Sequence, residues 1–157
     1  MKSGKLDNLM KKAAKYCAWQ ERCSYDVRKK YYDQGFTSGE IEKLLTWLKT
    51  EKYIDDARFA KTYARSKFNN NQWGRQRIMM QLKARNIDAA DIELALDEIK
   101  EKDYMQTIEK LAEKKWQQIK TGEIFIKKQK TAAFLVNKGF ETDLAIRTVD
   151  RIERNNP

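Results

Sequence analysis

GFTSGEI, residues 35–41, writes a helix end and a helix start into seven residues. Gly35 suits the left-handed conformation that closes a helix. Phe36 follows, then Thr37 as N-cap, with Glu40 three positions on and Ile41 four. Thr37 with Glu40 is a capping box, and Phe36 with Ile41 is the hydrophobic staple that fixes the entry angle of the new helix. The same grammar recurs in NIDAADI, residues 86–92, and in GFETDLA, residues 139–145. Asn86 is the next-best residue for a left-handed turn. The third copy is weaker, because Glu141 is a poor cap and Thr142 is the alternative.

The agreement extends outward. Counting from Gly35, the offsets −8, −4, +1, +6, +9, +10 and +13 fall on Val27, Tyr31, Phe36, Ile41, Leu44, Leu45 and Leu48. From Asn86 they fall on Ile78, Leu82, Ile87, Ile92, Ala95, Leu96 and Ile99. From Gly139 they fall on Thr131, Leu135, Phe140, Ala145, Thr148, Val149 and Ile152, so only two threonines depart. Matching turns with matching apolar registers indicate tandem repeats. Each repeat also has an amphipathic segment upstream: Leu6, Leu9, Met10, Ala13 and Cys17; Phe59, Ala60, Tyr63 and Ala64; Ile108, Leu111, Ala112 and Trp116. The unit is therefore three helices, and the expected fold is all-α: three tandem three-helix repeats forming an elongated, curved helical array. The repeats are expected at 5–53, 54–101 and 102–154 within a single unit spanning 1–157.

Composition agrees. Of 157 residues, 36% are charged, and the only proline is Pro157. Ala, Leu, Lys, Glu, Gln and Arg fill the chain, all good helix formers. A net charge of +10 favours polyanionic partners. The absence of histidine excludes Ser–His and Cys–His catalysis and every His-ligated metal site. Two cysteines cannot close a structural zinc site, and no phosphate-cradling glycine loop is present. The first twenty residues lack the apolar core of a signal peptide, and no apolar run suffices to cross a membrane. A cytoplasmic protein without a membrane contact is expected.

The paired carboxylates in YIDDARFA, residues 53–60, raise the question of a metal or acid–base site. Local physics answers it. Asp55 falls at an N-cap, Ile54 and Phe59 make the staple, and Asp56 lies in the first turn, where negative charge suits the helix dipole. A metal nuclease built on Asp55, Asp56, Asp88 and Asp91 is set aside, since no further acidic cluster completes it.

The positive charge is concentrated. From Ala57 to Ile87 no acid occurs, while Arg58, Lys61, Arg65, Lys67, Arg75, Arg77, Lys83 and Arg85 do. The arginines suit phosphate or carboxylate recognition. Trp73, in a turn among them, is the best placed tryptophan for stacking on a partner, whereas Trp47 is expected to pack among leucines and Cys17 in the core. A smaller basic patch is Lys127, Lys128 and Lys130, with Lys138 beyond. Residues 88–101 are acidic, and either balance the basic helices or meet a basic partner.

Three stretches in order, RCSYDVRKKYYDQGF (22–36), YIDDARFA (53–60) and GRQRIMMQLKARNI (74–87), resemble the signatures of the RecX family of recombinase regulators. Lys52 stands where the family usually has Gly, Trp73 replaces a basic residue before Gly74, and Arg85-Asn86 replaces Lys-Gly. The resemblance implies a cytoplasmic protein of tandem three-helix repeats without enzymatic activity or cofactor. It implies binding to the RecA recombinase in the groove of its filament on DNA, damping ATPase and strand exchange in DNA repair and the SOS response. On that reading the partners are the RecA filament and DNA phosphates, met by a monomer. The contact residues are the eight cations of the acid-free run, Trp73, and Lys127, Lys128 and Lys130. The competing reading is a basic helical repeat that binds nucleic acid without a recombinase.

Overall fold

Residues 3–156 are described by the computed structural model, and among them nine helices and no strand form. The first unit is α1 (Ser3–Trp19), α2 (Ser24–Asp33) and α3 (Ser38–Thr50). The second is α4 (Asp56–Asn71), α5 (Arg75–Ala84) and α6 (Ala89–Leu96). The third is α7 (Glu101–Gln118), α8 (Ile124–Asn137) and α9 (Thr142–Asn155). The extensive helix-on-helix packing lies within these groups: α3 on α1 and α2, α4 on α5 and α6, α7 on α8 and α9. Units in series expose more surface than a ball does. The accessible surface is 10083 Å², against about 8,200 Å² for a compact monomer of this mass.

The three turns are copies at atomic level. Gly35, Asn86 and Gly139 have φ of 90°, 56° and 105°. In each, the next amide reaches back to the carbonyl five residues earlier: Phe36 to Tyr31 at 3.1 Å, Ile87 to Leu82 at 3.2 Å, Phe140 to Leu135 at 3.1 Å. This is the Schellman closure, and it satisfies carbonyls that a helix end would otherwise leave bare. The Thr37–Glu40 capping box forms in both directions, at 3.2 and 2.9 Å. Of the repeated positions, all but the half-buried Phe36 and Leu96 are buried. The two aberrant threonines are buried as well. Their hydroxyls donate to carbonyls one turn back, Thr131 to Lys127 at 2.8 Å and Thr148 to Leu144 at 2.7 Å, so neither hydroxyl is left unpaired.

The two junctions between units differ in chemistry. Leu9, Val27, Tyr31, Leu44 and Ile54 belong to a core confined to the first unit. A second core runs unbroken from Phe59 to Ile152 through both remaining units. Between them Tyr104 packs against Phe68 and Phe140, with ring centroids 5.9 and 5.1 Å away. The start of α5 is capped by the third unit: the Gly74 amide donates to Lys138 O at 2.8 Å, and the Gln76 amide to Gly139 O at 2.9 Å. By contrast, the first unit meets the second through polar contacts. Asp56 Oδ1 accepts the Ser24 amide at 2.7 Å, at the first turn of α2. Glu21 pairs with Arg58 at 2.8 Å, and Asp26 lies 3.9 Å from Arg85. Cys23 is the first unit's one buried contribution to the larger core.

Candidate functional site

The end of α4 builds the site. Gln72 takes the left-handed conformation, φ 56°, and closes the helix. The Trp73 amide then bonds back to Lys67 O at 3.1 Å. This folds the indole over the last turn of α4, edge-on to Tyr63 at 6.4 Å. Lys67 Nζ lies 5.0 Å from the Trp73 ring and 5.5 Å from Tyr63. From α5, the Arg77 guanidinium sits 4.1 Å over Trp73, and that of Arg85 sits 5.0 Å from Tyr63. Cations and rings thus alternate along one shoulder of the second unit: Arg77, Trp73, Lys67, Tyr63, Arg85.

Stacking holds the cations in place without neutralising them. The carboxylate paired with this ladder is Asp26, 3.9 Å from Arg85. Lys138 joins from the third unit, donating to Asn71 O at 2.7 Å. Burial, and then the charge of Arg77, lower its pKa from the ordinary lysine value. Fixed cations on half-buried rings suit phosphate or carboxylate groups attached to planar or apolar bodies.

The other cations of the acid-free run go elsewhere. Arg58 bonds Glu21 and the carbonyls of Lys52 and Tyr53. Lys61 faces Glu98 at 3.8 Å. Arg75 stacks 3.8 Å from the Tyr104 ring and pairs with Glu101 and Glu141. Burial alone would lower its pKa, but the bonds to the two carboxylates outweigh it and hold the guanidinium above its ordinary value. Arg65 and Lys83 are exposed, with no ion pair among the described residues. In the smaller patch, Lys128 is taken by Asp150 at 2.9 Å and Glu153 at 2.6 Å. Lys127 covers the Trp116 ring at 4.4 Å, while Lys130 is exposed.

Tyr63 was not among the residues expected here, since its spacing reads as core. It is half-buried and forms the centre of the ladder. Its position one turn before Lys67 was the available signal. A second cation–ring group, Arg22 at 4.0 Å over Tyr16, lies on the first unit and also escaped the sequence reading. Among the described residues no cluster of acidic or thiol side chains has the arrangement of a metal site.

The comparisons with known proteins converge. The RecX second three-helix domain matches residues 55–96, and the RecX third three-helix domain matches residues 101–149. A "Regulatory protein RecX" of Leuconostoc mesenteroides is 32% identical over 83% of this chain. The chain spans about half the length of that relative, 49% of it. A protein of the same name from Prosthecochloris aestuarii is 26% identical over 93% of this chain and 94% of its own. The crystal structure of RecX from Lactobacillus salivarius superimposes with a TM-score of 0.85 at 22% identity, covering 97% of this chain and 99% of that one.

Proposed function

The chain belongs to the RecX family, and on that premise we propose that it modulates, mainly by inhibition, the RecA recombinase. It binds in the groove of the RecA–DNA filament in the cytoplasm, and damps ATP hydrolysis and strand exchange without chemistry of its own. One observation carries the reading. The stretch that matches the family's second domain, residues 55–96, is the one that holds the ladder from Arg77 to Arg85. A filament groove is lined by DNA phosphates and protein together, and a row of stacked cations on an extended body can meet both. The units in series supply the length that a groove demands.

DNA-dependent ATP hydrolysis by a RecA protein, with this chain titrated in, tests the proposal. Hydrolysis is expected to fall at less than one copy per recombinase subunit, since a groove ligand acts on many subunits. Hydrolysis that stays constant while the chain still binds DNA would overturn it.

A further inference from the structure

The alternation of cations and rings does not stop at the second unit. Where α1 ends, Arg22 lies 4.0 Å over Tyr16 and 6.0 Å from Trp19, whose ring is 82% exposed. A cleft of about 470 Å³ separates this group from the ladder. Tyr16, Gln20 and Arg22 line it from the first unit, and Tyr63, Ser66 and Lys67 from the second. Two carboxylates also line it, and both are engaged. Glu21 pairs with Arg58 at 2.8 Å, while Asp26 accepts the Cys23 amide at 3.3 Å and faces Arg85. On the other side of Tyr16 a second hollow is lined by Lys12, Lys15, Lys30 and Trp19 and by no acid.

We propose that these features form one track for single-stranded nucleic acid, crossing from the first unit to the second. Phosphates follow the cations: Lys12, Lys15 and Lys30, then Arg22 and Lys67, then Arg77. Bases stack on Trp19 and on the ring–guanidinium surfaces, and one unpaired base enters the cleft, whose volume suits a single small ligand. The exposed Trp19 ring and the guanidinium planes laid over the half-buried Tyr16, Tyr63 and Trp73 rings select the ligand class. A duplex keeps its bases stacked on each other and offers such rings nothing flat, and an acidic peptide needs the cations alone. A basic groove interleaved with aromatic faces is how single strands are held without sequence preference. This goes beyond the regulator reading, because it needs no recombinase.

The test is fluorescence anisotropy, without recombinase, of a labelled thymidine 12-mer against an abasic 12-mer carrying the same phosphates. The thymidine strand is expected to bind about tenfold tighter. Its affinity should fall by about 0.7 log units per log unit of salt for each phosphate held. Trp19→Ala and Tyr16→Leu should each erase most of the preference while leaving abasic binding near its original strength. Ser66→Glu, at the cleft wall and clear of both cores, should weaken both strands at least tenfold and keeps the test open if Tyr16→Leu fails to fold. Equal binding of the two strands overturns the track, as does a preference that survives Trp19→Ala or an affinity for both strands that survives Ser66→Glu. Displacement of the strand by polyglutamate at equal charge would assign an acidic protein partner instead. Displacement by thymidine monophosphate at equal nucleotide concentration would assign a free nucleotide. If the preference is absent yet RecA hydrolysis is still inhibited, the regulator reading stands and this one falls.

Discussion

Asp55 accepts the Arg58 amide at 3.0 Å and closes its own helix, while Asp56 reaches another unit to hold the start of α2. Identical side chains, one residue apart, thus act at different ranges. Asp55→Ala should remove an N-cap worth about 1 kcal/mol. In a chain of this length the melting temperature should drop by about 2–4 °C. Inhibition of RecA should be near normal below that temperature; its loss at full stability would point to a role for Asp55 beyond capping. The thiols allow a second prediction. Burial pushes Cys17 up to about 11 and Cys23 up to about 12, from an ordinary 9.0. The folded chain therefore holds these protons more tightly than the unfolded chain does. Their contribution to stability is complete below pH 9 and is lost as pH rises through 11 to 12. Tyr31, pushed up to about 12 by burial, adds to the same fall. Urea melts should show a midpoint that falls between pH 8 and pH 10.5, and falls less in a Cys17→Ala/Cys23→Ala variant. An equal fall in both proteins would remove the thiols from the account.

Helix α5 shows how one element can depend on another far along the chain. Gly74 has φ −75°, which any residue adopts, so its backbone does not require glycine. Its neighbours do: a Cβ there would lie 2.3 Å from Gly139 C and from Phe140 N. Gly35 is the converse, with φ +90° and open space around it. Gly35→Ala should cost about 1–2 kcal/mol, from the left-handed backbone alone. Gly74→Ala should cost about 3–5 kcal/mol, because it overpacks rigid backbone and breaks two cross-unit hydrogen bonds. Thermal unfolding of the two variants compares them directly, and a larger loss for Gly35→Ala would refute the account. The same contrast explains what was legible in the sequence. Gly35, Thr37, Asn86 and Gly139 were readable because each closes or caps a helix through residues within five positions of itself; the further contact of Gly139 with Gly74 and Gln76 was not. Glu141 was readable only as a poor cap. It does occupy the N-cap of α9, but without a capping bond, because its carboxylate serves Arg75 and the Tyr104 hydroxyl. The acid-free run announced a basic face. Which cations stay available on it is decided by Glu21, Glu98, Glu101 and Glu141, and no local pattern links those residues to their partners.

At the scale of the whole molecule, the chain divides at a polar seam into a first unit with its own core and a larger part, the second and third units, that shares one. The ladder stands beside the seam, so its cations can be altered without touching either core. Lys67→Glu with Arg77→Glu should leave melting nearly unchanged and abolish inhibition of RecA. Lys43→Glu with Lys49→Glu, exposed on α3, makes the same change in net charge and should leave inhibition intact. Equal loss in both pairs would mean that overall charge matters and the ladder does not. The seam itself predicts unequal stability. Opening the first unit exposes its own core together with Cys23, a few ion pairs and the Asp56 contact. Opening the second unit also tears the core that runs through Tyr104 into the third. Amides of α1–α3 should therefore exchange through a partial opening, well below the free energy of global unfolding. Those of α4–α9 should exchange together, only through the global transition. Hydrogen exchange followed across a denaturant series separates the two cases. Asp56→Ala should lower protection in α1–α3 and leave α7–α9 unchanged, since it loosens the seam and not the shared core. Uniform protection over all nine helices, lowered uniformly by Asp56→Ala, would mean that the polar junction couples the units as tightly as the aromatic one.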